Sequence, residues 1–297
     1  MNDHKHLSEK AASKISLSNE ERILHIKKPR WIAYRKANEL LDKLEDLLSH
    51  PPQPRMPNML IIGDTNNGKT MLVNKFRALH PADENLEGDA VIIPVLYIQA
   101  PPGPDERGIY NAILNRLFEP YGRSEATDAK RDRVVSILHR VQLGMIMIDE
   151  IHHILAGSYT KQRNSLNALK YLGNELCVPI VGIGTTEAIR AIQTDPQLAN
   201  RFIPEVLPKW KNNGDLTMLL KSFERITPLK EPSLLHSPAL LNAILELSGG
   251  TIGEISTLVN TAAIYAIKNG QEQITLEVLN KCGYVSPVNR KQAASQL

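Results

Sequence analysis

The octet Gly63–Thr70, GDTNNGKT, constrains this chain more than any other stretch. It fits G-x-x-x-x-G-K-[ST] with Gly63, Gly68, Lys69 and Thr70. The apolar run MLII precedes it, and KTMLVNKFRAL follows with helical spacing. Strand, glycine-framed turn and helix, in that order, make a loop whose backbone N–H groups converge at a helix N-terminus. The ligand suited to such a loop is a nucleotide phosphate. Lys69 would reach the β- and γ-phosphates, and the Thr70 hydroxyl would ligate Mg2+. Asp64, Thr65, Asn66, Asn67 and Met71 complete the candidate binding segment. The alternative is a glycine-rich turn with an incidental lysine, which both flanks disfavour.

A nucleotide-hydrolysing site needs an acid at the end of a second buried strand. MIMIDE supplies Asp149 and Glu150 about eighty residues further on. Asp149 would hold the magnesium shell, and Glu150 would polarise an attacking water; the plain alternative is a helix cap. No N-K-x-D signal for guanine follows, so ATP is the expected nucleotide. GIGTTEA, residues 182–188, ends another apolar run. It places Thr185 or Thr186 where a polar side chain can meet the γ-phosphate or the water, or simply cap a helix. His152 and His153 read as a structural pair, since no further metal ligand is evident near them.

The fold class follows from apolar runs alternating with helical segments. Strands are expected at Met59–Ile62, in AVIIPVLYIQA, GMIMIDE and VPIVGIG, and in FIPEVLP. Continuous apolar strands between helices imply an α/β fold with a parallel sheet flanked by helices. Trp31–Leu48 has helical periodicity and ends at SHPPQPRMP. Beyond KNNGD the pattern is helical throughout, with Ser237-Pro238 as a helix start, so residues 215–284 form a small all-helical C-terminal domain. The expected division is a flexible basic segment 1–30, a nucleotide-binding domain 31–214, the helical domain 215–284 and a flexible tail 285–297.

Composition excludes other classes. Two cysteines in 297 residues make neither a disulfide framework nor a zinc site. Apolar runs stay far short of a membrane span, and the start lacks the apolar core of a secretory signal, so a cytoplasmic location without a membrane partner is expected. A net charge of +3 does not itself imply nucleic acid. Arg22–Lys36, however, carries six Lys/Arg and no acid.

Taken together, phosphate loop, acidic strand end, polar strand end and helical lid resemble an AAA+ ATPase. More narrowly, KPRWIAYRKANELLDKLEDLL, DEIHHILAGS, KYLGNELCVPIVGIGTTEAI and QLANRFIPEVLPKW resemble TniB, the ATPase of bacterial transposons, which is similar to TnsC. The resemblance implies ATP bound between adjacent subunits, with homo-oligomeric rings or helical filaments on double-stranded DNA. It also implies recruitment of a TniA/TnsB-like transposase, with a TniQ-like adaptor as a further partner. A neighbouring subunit's arginine would complete the site, and Arg201 in LANRF is the candidate. The lid departs from the family pattern: no Lys or Arg lies between Glu246 and Lys268. Slow hydrolysis used as a switch is therefore expected.

No sequence-reading DNA module is present, so contacts would be to phosphates and salt-dependent. The candidates are Arg107, the cluster Lys130, Arg131 and Arg133, and Lys161 with Arg163; each alone can equally be a solvated cation. The competing functional reading is an ATP-dependent loader or chaperone acting on a protein such as a replicative helicase.

Overall fold

Five apolar runs become the strands of one sheet: β1 Asn58–Gly63, β2 Val95–Gln99, β3 Met145–Asp149, β4 Ile180–Gly184 and β5 Phe202–Leu207. The order is β2-β3-β4-β1-β5 and every pairing is parallel. The computed structural model describes residues 4–155, 158–193 and 199–294. β1, β3 and β4 are buried along their whole length, as strands covered on both faces must be. β5 is an edge strand whose Ile203 and Val206 are exposed.

The helices, in chain order, are α1 Glu9–Ala12, α2 Asn19–Lys27, α3 Arg35–Leu48, α4 Lys69–Leu79, α5 Glu106–Arg116, α6 Thr127–Arg140, α7 Tyr159–Glu175 and α8 Thr186–Ile192. They continue as α9 Gly214–Ile226, α10 Pro238–Ser248, α11 Ile252–Lys268, α12 Leu276–Lys281 and α13 Pro287–Ala294. A 3-10 turn, Ile151–Leu155, follows β3. The chain divides into two compact units: Asn38–Thr65 with Lys69–Leu207, and Met1–Ala37 with Asn66–Gly68 and Pro208–Leu297.

In the sheet unit, Leu60, Ile62, Ile98, Ile146 and Ile148 pack with Ile109, Ile113, Val134, Leu138, Leu169 and Leu172 of α5, α6 and α7 in one core. α6 shows no helical apolar spacing in its first half, because its first seven residues are charged or small. Register fixes what the strands present at their carboxyl ends. Ile62 pairs Gly184, Ile148 pairs Gly182 and Gln99 pairs Asp149, so Gly63, Asp149, Glu150 and Thr185 emerge along one edge of the sheet. Gly182 makes room there: a Cβ would sit 2.7 Å from Ile151 Cδ1 and 2.9 Å from Leu60 Cδ1. The residue after the acidic pair therefore folds down over β4.

The helical unit has its own core of Leu219, Leu220, Phe223, Leu241, Ile244, Leu258, Val259 and Ala262 from α9, α10 and α11, joined by Ile26 of α2. Two terminal segments differ from expectation. Residues 1–30, expected flexible, carry α1 and α2. Ser18 and Glu21 form a capping box, and Arg22 is fully buried against Glu272 and the Pro228 carbonyl. The polar composition hid this, because the partner of Arg22 lies 250 residues away. The tail, also expected flexible, carries α13, which starts at Ser286-Pro287. Asn289 N donates to Ser286 Oγ at 3.2 Å, the Ser-Pro start also used by α10. No described helix is long and apolar enough to cross a membrane.

Candidate functional site

The loop between β1 and α4 has the backbone its sequence requires. Asn66 and Gly68 adopt φ of 60° and 84° on either side of Asn67, an alternation that turns successive amides to one side. Asn tolerates the left-handed region better than other side chains, and Gly68 has no side chain to strain. Lys69 is 8% exposed at the first position of α4, and its ammonium donates to Gly63 O at 2.8 Å and Asp64 O at 2.9 Å. Burial draws its proton affinity down, offset in part by the nearby Glu150, Asp149 and Asp64 carboxylates. These weak carbonyl partners are ones a phosphate oxygen can replace.

Thr70, one residue on, donates its hydroxyl to Asp149 Oδ2 at 3.1 Å. The Asp149 carboxylate also accepts from Tyr97 Oη at 2.6 Å and from Glu150 N at 2.8 Å. Burial and the bond to Asp149 raise the Tyr97 hydroxyl's pKa, which keeps it a donor at neutral pH. A hydroxyl oxygen beside a buried carboxylate is the hard-oxygen pair that a small divalent cation takes, so Thr70 and Asp149 fit Mg2+. Tyr97 is a member of the site that the sequence reading missed. Its one signal is a polar tip amid the apolar residues of VLYIQ, two positions before the exposed Gln99.

Glu150 sits at φ 52°, a strained position for a glutamate, immediately after the strand. Its Oε2 lies 3.2 Å from His152 Nδ1, and the His152 and His153 ring centres are 4.5 Å apart with the planes tilted by 59°. Ligand atoms of Glu150, His152 and His153 all lie within 4.8 Å of one another. Thr185 Oγ1, at the end of β4, is buried without a hydrogen-bond partner among the described residues. Such an atom costs roughly 1–3 kcal/mol unless something meets it.

The family model described as Bacterial TniB protein matches residues 22–212. The chain belongs to the TniB family. None of the curated proteins compared with it matches. Among solved structures it is similar to the Aeropyrum pernix ORC2 protein in ADPNP–ADP complexes, at 16% identity over 87% of this chain and 70% of that one, with a TM-score of 0.63. Cdc6p from Pyrobaculum aerophilum gives 19% identity, 86% and 69% coverage and 0.59. The Aeropyrum pernix ORC1 protein in complex with DNA gives 17%, 88% and 68%, and 0.58. At these identities the likeness establishes the fold alone, a parallel sheet flanked by helices with a helical C-terminal part, as in these ORC and Cdc6 proteins.

In this TniB-family chain the other candidate residues are scattered. Arg201 precedes β5 at the amino ends of the strands, the opposite edge from Lys69, since Asn58 pairs Phe202. Its guanidinium donates to Asn174 Oδ1 at 2.8 Å. It has no place in the site of its own chain. Lys130, expected to face DNA, is instead 1% exposed, bound to Asn111 Oδ1 at 2.7 Å and 4.2 Å from the Tyr121 ring centre. It is removed from the DNA candidates, because a cation held there cannot reach a phosphate. Arg107 is tied to the Arg123 and Glu125 carbonyls, Arg131 to Asp128 and Asp132, and Arg133 to Glu125. Lys161 and Arg163, on α7, are exposed.

Proposed function

We propose that this TniB-family protein is an ATP-dependent regulator of DNA transposition. In this reading it binds and slowly hydrolyses ATP, assembles on double-stranded DNA in its ATP-bound form, and recruits a transposase there, with a TniQ-like adaptor as a further partner. The observation that carries the reading is the convergence of Lys69, Thr70, Asp149, Glu150 and Thr185 at one sheet edge, in a chain of the TniB family.

Lys69 moves from the Gly63 and Asp64 carbonyls to the β- and γ-phosphate oxygens. Gly63, Asp64, Thr65, Asn66, Asn67 and Gly68 wrap the phosphates with backbone amides, and Met71 follows at the start of α4. Thr70 and Asp149 hold Mg2+, which neutralises the phosphate charge when bound. Glu150 accepts a proton from the attacking water, and Thr185 orients that water or the γ-phosphate. Arg201 reaches a neighbouring copy's site, because it lies at the far edge of its own sheet. Lys161 and Arg163, with Arg107, Arg131 and Arg133 as secondary contacts, meet DNA phosphates. Nucleotide and DNA in the ORC2 and ORC1 neighbours support both ligands. No Lys or Arg occurs between Glu246 and Lys268, which supports slow turnover and a switch.

Electron microscopy of the full chain with random-sequence duplex tests this. Rings or filaments with ATP and Mg2+, and solitary molecules with ADP, are expected. Solitary molecules under both conditions would remove the DNA-assembly reading and favour action on a protein partner.

A further inference from the structure

The strongest unassigned feature is a buried carboxylate that joins the phosphate loop to the C-terminal helix. Glu254 is the third residue of α11 and is 8% exposed. Both of its oxygens are used. Oε1 accepts from Asn66 Nδ2 at 3.0 Å, and Oε2 accepts from Tyr284 Oη at 2.6 Å and from the Arg290 guanidinium. Burial pushes this carboxyl up, but the donors Arg290, Tyr284 and Asn66 outweigh it and hold the group below the usual carboxylate range.

Asn66 is gripped on its backbone as well. Gly253 N donates to Asn66 O at 3.0 Å, and a Cβ on Gly253 would stand 1.9 Å from Asn66 Oδ1. Next to it, Asn67 accepts from Ile252 N at 3.4 Å and donates to Pro208 O at 3.1 Å. The start of α11 therefore sets the left-handed turn at Asn66, and with it the direction of the amides that follow. The weak point is charge. A buried carboxylate bonded to a loop that must take a polyanion opposes that polyanion unless a cation balances it. α11 carries no cation between Glu246 and Lys268, and the balance comes from α13.

We propose that Arg290 is a positioning residue for nucleotide binding, acting through Glu254 on Asn66 of the phosphate loop. The inference rests on the reading of that loop as the ATP site. Loss of Arg290 leaves Glu254 a buried charge balanced only by neutral donors. Asn66 is then held less firmly, and the loop becomes less hospitable to phosphate.

Two measurements on the full chain test this. The first is hydrogen exchange in nucleotide-free protein. Arg290→Ala is expected to speed exchange of the peptide covering residues 63–70 while the α10 and α12 amides stay protected. Unchanged exchange in the loop would overturn the proposal whether or not the protein binds nucleotide. The second is titration with a fluorescent ATP analogue. Arg290→Ala is expected to weaken binding about tenfold, the effect of one charge-assisted hydrogen bond. Arg290→Lys should recover part of the loss, and Glu254→Gln, which trades one acceptor oxygen for a donor against Asn66 or Tyr284, should itself bind more weakly than wild type. Adding Arg290→Ala to Glu254→Gln should then change little, since the charge to be balanced is gone. Equal losses in both backgrounds would show Arg290 acting only by packing and would sink the proposal. A wild-type chain that fails to bind the analogue counts instead against the ATP site itself, and the exchange result still decides the coupling.

Discussion

At the scale of single residues, the proposed nucleotide site is a set of groups with weak or missing polar partners and one strained backbone. Lys69 rests on two carbonyls, Thr185 Oγ1 has none among the described residues, and Glu150 is held in a strained backbone state. Each implies a distinct outcome. Glu150→Gln removes the proton acceptor and leaves the phosphate contacts, so turnover should fall by about a hundredfold or more with ATP affinity kept. A phosphate-release assay beside a binding titration separates the two, and unchanged turnover would move the base elsewhere. Thr185→Val is close to isosteric and should lower turnover by about tenfold at little cost in stability. If turnover holds and only the melting temperature moves, Thr185 is a helix-start residue. Arg201→Ala should leave ATP affinity of the isolated chain intact while lowering hydrolysis in the assembled state. Much of this was legible in sequence, because loop, acidic pair and strand end are local patterns. Tyr97 and the burial of Lys130 were not. Each depends on which way a side chain faces once α5, α6 and the sheet have packed.

At the scale of elements, the strands and most helices could be read from apolar runs and helical spacing. The terminal helices could not, because what orders them is pairing over long separations. Arg22 of α2 meets Glu272, and Arg290 of α13 meets Glu254, contacts that no local window contains. Arg22→Ala should therefore destabilise the helical unit by about 3 kcal/mol, the cost of leaving half of a buried pair. Urea denaturation checks this, and a loss within about 0.5 kcal/mol, the level of an ordinary surface change, would mean that the pair contributes nothing. The same contacts fix a pH dependence. Burial raises the Glu272 carboxyl, but the bond and charge of Arg22 outweigh it, so its folded pKa lies below the ordinary 4.5, as does that of Glu254. A depressed folded pKa means stability that is fully present above the ordinary glutamate range and lost as pH falls through the folded values. The helical unit should hold its melting temperature from neutral pH down to about pH 5 and lose it below. A melting temperature that stays flat down to pH 3 would contradict this.

At the scale of the whole molecule, the account joins nucleotide occupancy to assembly on DNA. The DNA contacts proposed are phosphate contacts, so affinity should fall steeply with salt, with a slope near −0.9 per phosphate engaged. Lys161→Ala with Arg163→Ala should flatten that slope, read by fluorescence anisotropy of a labelled duplex, with hydrolysis unaffected in the absence of DNA. The central claim is that a triphosphate in the loop around Lys69 decides whether copies gather on a double helix. Sedimentation velocity of the wild type and Lys69→Ala with duplex DNA, in ATP and Mg2+ and again in ADP, tests it most directly. The account predicts a large DNA-bound species for the wild type in ATP alone and none for Lys69→Ala. The same large species from Lys69→Ala, or from wild type in ADP, would contradict it.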